Sequence, residues 1–175
     1  MSDFVANKIQ ALKPSGIRRF FDIAATMDDV ISLGIGEPDF DTPVSIVRAG
    51  LDSLEAGQTH YTSNSGILEL REALSDHLAD LYGVRYDPET ELLITVGVSE
   101  ALYLALASTV DHGDEVIVPE PCFVSYNPEV VLAGGVPVNA RTSVENGFQA
   151  EASMIAEGVT PNTKALLIGY PNNPT

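Results

Sequence analysis

The stretch Thr95-Val-Gly-Val-Ser-Glu-Ala-Leu102 joins a β-rich run, Leu92 to Val96, to an apolar helical run, Ser99 to Val110. A helix start presents backbone N–H groups without intrahelical partners, and the positive end of the macrodipole lies there too, so anions are attracted. Ser99, expected at or near the N-cap, adds a hydroxyl, and Gly97 lets a phosphate approach the backbone closely. A plain strand-to-helix turn capped by serine accounts for the same residues, since serine favours that position in any case. The spacing is that of neither a Gly-x-x-x-x-Gly-Lys loop nor a Gly-x-Gly-x-x-Gly fingerprint.

Pro119-Glu-Pro-Cys-Phe-Val-Ser-Tyr126 places Phe123 beyond the end of a second β-rich run, where a flat ring could cover a planar heterocycle or simply join the core. Cys122, the single cysteine, reads as a small buried filler, and alone it makes neither an intrachain disulfide nor a cysteine-rich zinc site. In Gly34-Ile-Gly-Glu-Pro-Asp-Phe40 the glycines allow backbone to come close to a ligand or merely make a turn. His60-Tyr61 lies in a polar loop, so the phenol is free to face a ligand or a partner subunit. His60, His77 and His112 lack metal-ligand spacing and read as surface residues. The acidic cluster at 111–115 reads as a solvated turn, and no Gly-x-Ser-x-Gly elbow is present. The chain closes on Tyr-Pro-Asn-Asn-Pro-Thr, 170–175, a polar loop hung from an apolar run.

Those residues need a scaffold. After Pro88, short apolar runs at 92–96, 116–118, 136–139 and 165–169 alternate with helical segments at 99–110, 124–133 and 150–157. Continuous rather than alternating apolar runs fit strands covered on both faces, so the pattern predicts an α/β fold with a largely parallel sheet flanked by helices. In such sheets ligands bind beyond the carboxyl ends of the strands, at the loops 97–99, 119–123 and 170–175. Upstream, helices are expected at 3–12, 17–25, from 43 to about 57, and at 67–82. In the last of these, Ile67, Leu70, Leu74, Leu78 and Leu81 form an apolar stripe and Gly83 a stop. Ile31–Leu33 is a short strand candidate.

Nine basic against 25 acidic residues give a net charge of −16, which argues against nucleic acid as a partner. The acidic, lysine-poor composition suits solubility in concentrated salt, and equally an ordinary acidic protein of the cytoplasm. The N-terminus lacks the apolar core of a secretory signal, and no stretch approaches the roughly 20 apolar residues of a membrane helix. A soluble, cytoplasmic protein is expected.

Leu-Lys-Pro-Ser-Gly-Ile-Arg (12–18), Ser-Leu-Gly-Ile-Gly-Glu-Pro-Asp-Phe-Asp-Thr-Pro (32–43), the 60–74 segment from His60-Tyr61 to Leu74, the 95–102 turn, Pro-Cys-Phe-Val-Ser-Tyr (121–126) and Pro-Asn-Asn-Pro-Thr (171–175) occur together and in this order. In this the sequence resembles the class I/II aminotransferases, the aspartate-aminotransferase-like branch of the fold-type I pyridoxal-phosphate enzymes, over essentially the whole chain. The resemblance implies an N-terminal arm and small-domain segment at 1–42, then an incomplete cofactor-binding large domain at 43–175 that is cut after the Pro-Asn-Asn-Pro-Thr loop. It implies pyridoxal 5'-phosphate as cofactor, with Gly97, Val98 and Ser99 on its phosphate, Phe123 stacked on its ring and Asn173 donating to its phenolic oxygen. Tyr61 would reach the phosphate of the neighbouring subunit in a homodimer. Gly36, with Phe123 and Asn173, would border the substrate.

The activity implied is ping-pong transfer of an amino group between an amino acid and a 2-oxo acid. The Schiff-base lysine, the aspartate on the pyridinium nitrogen and the arginine on the substrate carboxylate have no matching positions, so no catalytic residue is expected here and residues 1–175 alone are expected to be inactive. Lys164 falls at the wrong end of its strand, and Lys8 and Lys13 lie in the arm. Other members built on the same residues are C–S lyases, cyclopropane-carboxylate synthases and decarboxylating enzymes, or a non-catalytic pyridoxal-phosphate sensor domain.

Overall fold

A computed structural model describes residues 4–12, 16–31, 36 and 38–175. The chain divides into two compact units, one formed by Met1–Ser15 with Val96–Thr175 and the other by Gly16–Thr95.

The first unit is built on a parallel sheet. Strands β1 (Glu115–Glu120), β2 (Val136–Arg141) and β3 (Thr163–Leu166) lie in the order β2-β1-β3. Val116 stands opposite Pro137 on one side and Ala165 on the other, and Ile117 opposite Val138 and Leu166. Val116, Ile117 and Val118 are at most 1% exposed, so the stiff β-branched run occupies the one strand position walled in on both sides and both faces. Alternation sends Val116 and Val118 to one face, where they pack with Leu106 and Val110 from α5 (Gly97–Thr109) and Val130 from α6 (Tyr126–Ala133). Ile117 turns to the other face, near Gly158 at the end of α7 (Ala152–Glu157).

Two glycines fix the return from α6 to β2. Gly134 ends the helix in the left-handed region, at φ 101°. At Gly135 a Cβ would stand 2.7 Å from Val110 Cγ1 and 3.1 Å from Val130 Cγ1, so only glycine fits between helix and sheet. The arm contributes a single helical turn, α1 (Asn7–Gln10), shorter than the 3–12 helix expected, and Lys8 Nζ donates to the Leu132 carbonyl oxygen at 3.2 Å.

The second unit carries α2 (Gly16–Ala24), α3 (Val44–Glu55) and α4 (Leu68–Tyr82), close to their expected spans. Gly83 stops α4 with φ 69°. On α4, Leu70 and Leu81 are 46% and 57% exposed, whereas Arg71 and Ser75 are buried. Arg71 donates to the carbonyl oxygens of Gly66, Pro88 and Glu89, and Ser75 to that of Tyr86. A polar face therefore docks the 86–89 backbone on the helix, while Ile67, Leu70 and Leu81 of the stripe are exposed and Leu74 and Leu78 half-buried.

The sheet matches the sequence expectation with two corrections. β3 begins and ends earlier than 165–169, although the Leu167 N–H still donates to the Ile117 carbonyl oxygen at 2.9 Å. Leu92–Val96 is no strand: the Ile94 N–H bonds the Ser65 carbonyl oxygen, but no ladder forms along the run among the described residues. An apolar run becomes a strand only when a neighbour supplies hydrogen-bonding partners. Of the Ile31–Leu33 strand candidate, Ile31 is exposed and in no strand, while Ser32, Leu33 and most of the 34–37 loop lie outside the described residues.

Candidate functional site

The order β2-β1-β3 makes the chain reverse its winding direction at β1. The connection through α6 leads to one side of β1, and the next, through α7, crosses to the other. The loops leaving β1 and β3 therefore part at the carboxyl edge of the sheet, the position where open α/β sheets hold ligands.

The start of α5 lies there. Gly97 has φ 75°, in the left-handed region that favours glycine, and the helix N-cap is Val96, whose side chain cannot cap. Ser99 is therefore the third helical residue rather than the cap, because the turn at Gly97 brings the helix in earlier than expected. Val96 makes no side-chain cap bond; Glu100 reaches back instead to accept the Val96 N–H.

Beyond β1, Phe123 is 37% exposed and stands edge-on to Tyr126, with ring centroids 5.9 Å apart and planes at 73°. Beyond β3, Asn172 Nδ2 donates to the Pro121 carbonyl oxygen at 3.0 Å and to Thr175 Oγ1 at 2.6 Å, tying the final loop to the one that carries Phe123. Gly169 passes so close over Tyr126 that a Cβ there would lie 2.8 Å from the phenolic oxygen.

These elements enclose a hollow of about 230 Å³ lined by Val98, Ser99, Leu102, Phe123, Tyr126, Glu129 and Asn173. Four residues singled out from the sequence, Val98, Ser99, Phe123 and Asn173, thus share one space although they come from three separate loops. Gly97 is not on its wall. Tyr61 and Gly36 belong to the Gly16–Thr95 unit; Tyr61 is fully exposed, and a Cβ at Gly36 would meet nothing within 4 Å.

Three lining residues escape the sequence reading. Tyr126 and Leu102 have the apolar look of core. Glu129 sits among apolar neighbours in Pro-Glu-Val-Val-Leu-Ala, and its signal was the three-residue spacing Phe123, Tyr126, Glu129, which stacks side chains on one side as a helix begins. It is 8% exposed, and burial raises its carboxyl above the ordinary glutamate range. The Cys122 thiol is likewise pushed up, first by burial and then by the Glu120 carboxylate.

A larger hollow of about 700 Å³ opens between the β1 and β3 loops and the 147–150 turn, with Phe148 and Tyr170 on its wall. Among the described residues that line it, only the phenols of Tyr126 and Tyr170 are titratable, and none of the residues expected to do chemistry is there. Among the described residues no group of His, Cys, Asp and Glu could hold a metal ion, and no helix is long and apolar enough to cross a membrane.

Comparison with known proteins gives the family. The family described as aminotransferase class I and II matches residues 28–175. An aspartate aminotransferase of Pyrococcus abyssi is 46% identical over 98% of this chain and 44% of its own length. An aromatic-amino-acid aminotransferase of Thermococcus litoralis is 45% identical over the same shares. The crystal structure of an aspartate aminotransferase from Thermotoga maritima superposes with a TM-score of 0.92 at 35% identity, covering 98% of this chain and 46% of that one. The chain thus spans less than half the length of the relatives it matches.

Proposed function

The chain belongs to the class I and II aminotransferases, and from that premise we propose that it forms the N-terminal part of a pyridoxal-phosphate-dependent aminotransferase that moves an amino group between an amino acid and a 2-oxo acid. Carrying the reading is the single hollow shared by the α5 start, the Phe123 ring and Asn173. At about 230 Å³ it falls short of the roughly 300–1,000 Å³ of a complete small-molecule site, so further walls belong to the rest of the protein.

The residues present fit the cofactor. Helix-start amides at Val98 and Ser99, with the Ser99 hydroxyl, suit a phosphate. The half-exposed face of Phe123 suits an aromatic ring, and the Asn173 amide can donate to a phenolate oxygen. When bound, pyridoxal phosphate supplies an aldehyde that accepts the amino group and a ring that withdraws electrons from the Cα–H bond. The part of this chain is to bind and orient: α5 anchors one end, Phe123 fixes the plane, and the Asn172 tether holds Asn173 at the ring's edge.

Amine and proton transfer are assigned to residues outside this chain. Lys164 lies within β3, toward the amino edge of the sheet, and Lys8 is bonded to Leu132; Lys13 lies outside the described residues. Residues 1–175 alone are therefore proposed to be inactive.

The remaining assignments extend the reading. Gly97 belongs with the phosphate turn. Gly36, with Phe123 and Asn173, borders the substrate, and the exposed Tyr61 reaches the phosphate site of a neighbouring subunit in a cytoplasmic homodimer. Residues 1–42 act as arm and small-domain segment, and 43–175 as cofactor-binding domain. The names of the relatives point to an aspartate-type or aromatic amino donor.

The test is made on the full-length protein. Pyridoxal phosphate added to the stripped protein is expected to give a protein-bound absorbance band, which borohydride fixes covalently. An amino-donor panel with 2-oxoglutarate then identifies the donor. No bound band defeats the reading; a bound band without transfer to any acceptor indicates a binding domain only.

A further inference from the structure

Glu129 has no part in the function proposed above, yet it occupies the wall of the same hollow as Ser99, Phe123 and Asn173. It is 8% exposed, and its Oε2 is sealed from solvent with no hydrogen-bond partner. A carboxylate left charged in such a place is strongly disfavoured against its neutral form.

Among the described residues, no cation on the surrounding elements answers it. Among the described residues lining the hollow, the only other titratable side chain is the Tyr126 phenol. Packed against α6 are α1, α5, β1 and β2. On α1, Lys8 is bonded to the Leu132 carbonyl oxygen. On α5, Glu100 accepts the Val96 N–H, and Tyr103 is the remaining titratable side chain. On β1, Glu115 accepts from the Thr160 hydroxyl and Glu120 from Asn127 Nδ2. Arg141 of β2 lines a different cavity, beside Glu120 and Cys122. Burial accordingly raises the Glu129 carboxyl above the ordinary glutamate range.

A protonated carboxyl differs from a carboxylate in one decisive respect: it has an O–H to donate. At a helix start, where an anion is to be held, a neutral acid adds a donor while a carboxylate would repel.

We propose that Glu129 is a positioning residue that works as the neutral acid, donating a hydrogen bond into the hollow and steadying the anionic group of the ligand against the helix start at Ser99. This rests on the reading that the hollow takes a phosphate-bearing ligand. Loss of the Glu129 proton then weakens binding, so binding and protonation are linked.

The test compares the full-length protein with Glu129→Gln, which keeps the shape and a donor but cannot ionise. Dissociation constants for pyridoxal phosphate are measured from about pH 5 to pH 9. The ratio of wild-type to variant constants is expected to be near one at the acid end. It should then rise by up to about tenfold per pH unit above the carboxyl's folded pKa. Titration of the cofactor itself is common to both proteins and cancels in the ratio. A ratio that stays flat with pH overturns the inference, whereas failure of both proteins to bind pyridoxal phosphate overturns the functional reading instead.

A second measurement needs no ligand. Infrared spectra of the stripped protein carrying ¹³C-labelled glutamate are expected to show a protonated carboxyl band that persists to higher pH than those of the other glutamates and vanishes in Glu129→Gln, or in Glu129→Met should the first variant not fold. A band unchanged by the substitution, or absent from the wild type, sinks the proposal.

Discussion

Asn172 Nδ2 lies 3.0 Å from the Pro121 carbonyl oxygen and donates to it across 51 positions of sequence. That one bond joins the loops leaving two neighbouring parallel strands, and the residues on either side of it, Phe123 and Asn173, face a common hollow. Asn172→Ala is expected to cost about 1 kcal/mol of stability. In the full-length protein it should also loosen pyridoxal phosphate binding several-fold, because Asn173 loses its anchor. Urea unfolding and equilibrium cofactor binding check both, and a stability loss with unchanged affinity would show that the tether does not position Asn173.

Phe123 offers a sharper test of ring stacking. Phe123→Ala is expected to weaken cofactor binding by about 1 kcal/mol, the scale of an aromatic pair beyond its buried area. Phe123→Trp should retain or strengthen it. If the alanine variant binds as well as the parent, the ring is only part of the core.

Arg71 is 6% exposed and is bonded to three backbone carbonyls. Arg71→Met fills a similar volume but leaves those oxygens without their donor, at about 1–3 kcal/mol for each one that water cannot reach. Denaturant unfolding should show one of the largest losses of any single change in the Gly16–Thr95 unit. Arg71→Lys should recover only part of it, since an ammonium lacks the planar fork.

At Gly135 the space is closed, with Val110 Cγ1 2.7 Å from a hypothetical Cβ. Gly135→Ala is expected to destabilise by about 1–3 kcal/mol through overpacking, read as a lowered denaturation midpoint. The same change at Gly16, where a Cβ would meet nothing within 4 Å, serves as the control.

The Cys122 thiol, raised by burial and by Glu120, should be slow to alkylate. A raised pKa means less thiolate at any pH below it, so iodoacetamide modification at neutral pH is expected to lag behind a free cysteine and to accelerate as the solution is made alkaline. Glu120→Gln should move the rate profile to lower pH, because one of the two causes is removed.

The parallel sheet was legible because its strands are continuous apolar runs separated by helical ones, and β-branched Val116-Ile117-Val118 could hardly be anything else. The 92–96 run, Leu-Leu-Ile-Thr-Val, is also apolar and β-rich and is no strand, since composition cannot tell whether a neighbour is at hand to pair with. Periodicity identified α4 as a helix, but which of its faces docks was chosen by the hydrogen bonds of Arg71 and Ser75 and was not legible. At the site, Ser99, Phe123 and Asn173 could be named from the order of their segments. Glu129 could not, because an acid in a helix reads as surface until the neighbouring helix is in place, and the exact onset of α5 depended on a left-handed turn at Gly97.

The edge-to-face packing of Phe123 on Tyr126 has a consequence for affinity. A ring that swings freely in the empty protein must surrender its rotational entropy each time a flat molecule settles on it, and that loss is subtracted from the grip. Here the swing is already restrained when the chain folds, so the toll falls on folding once and not on every encounter.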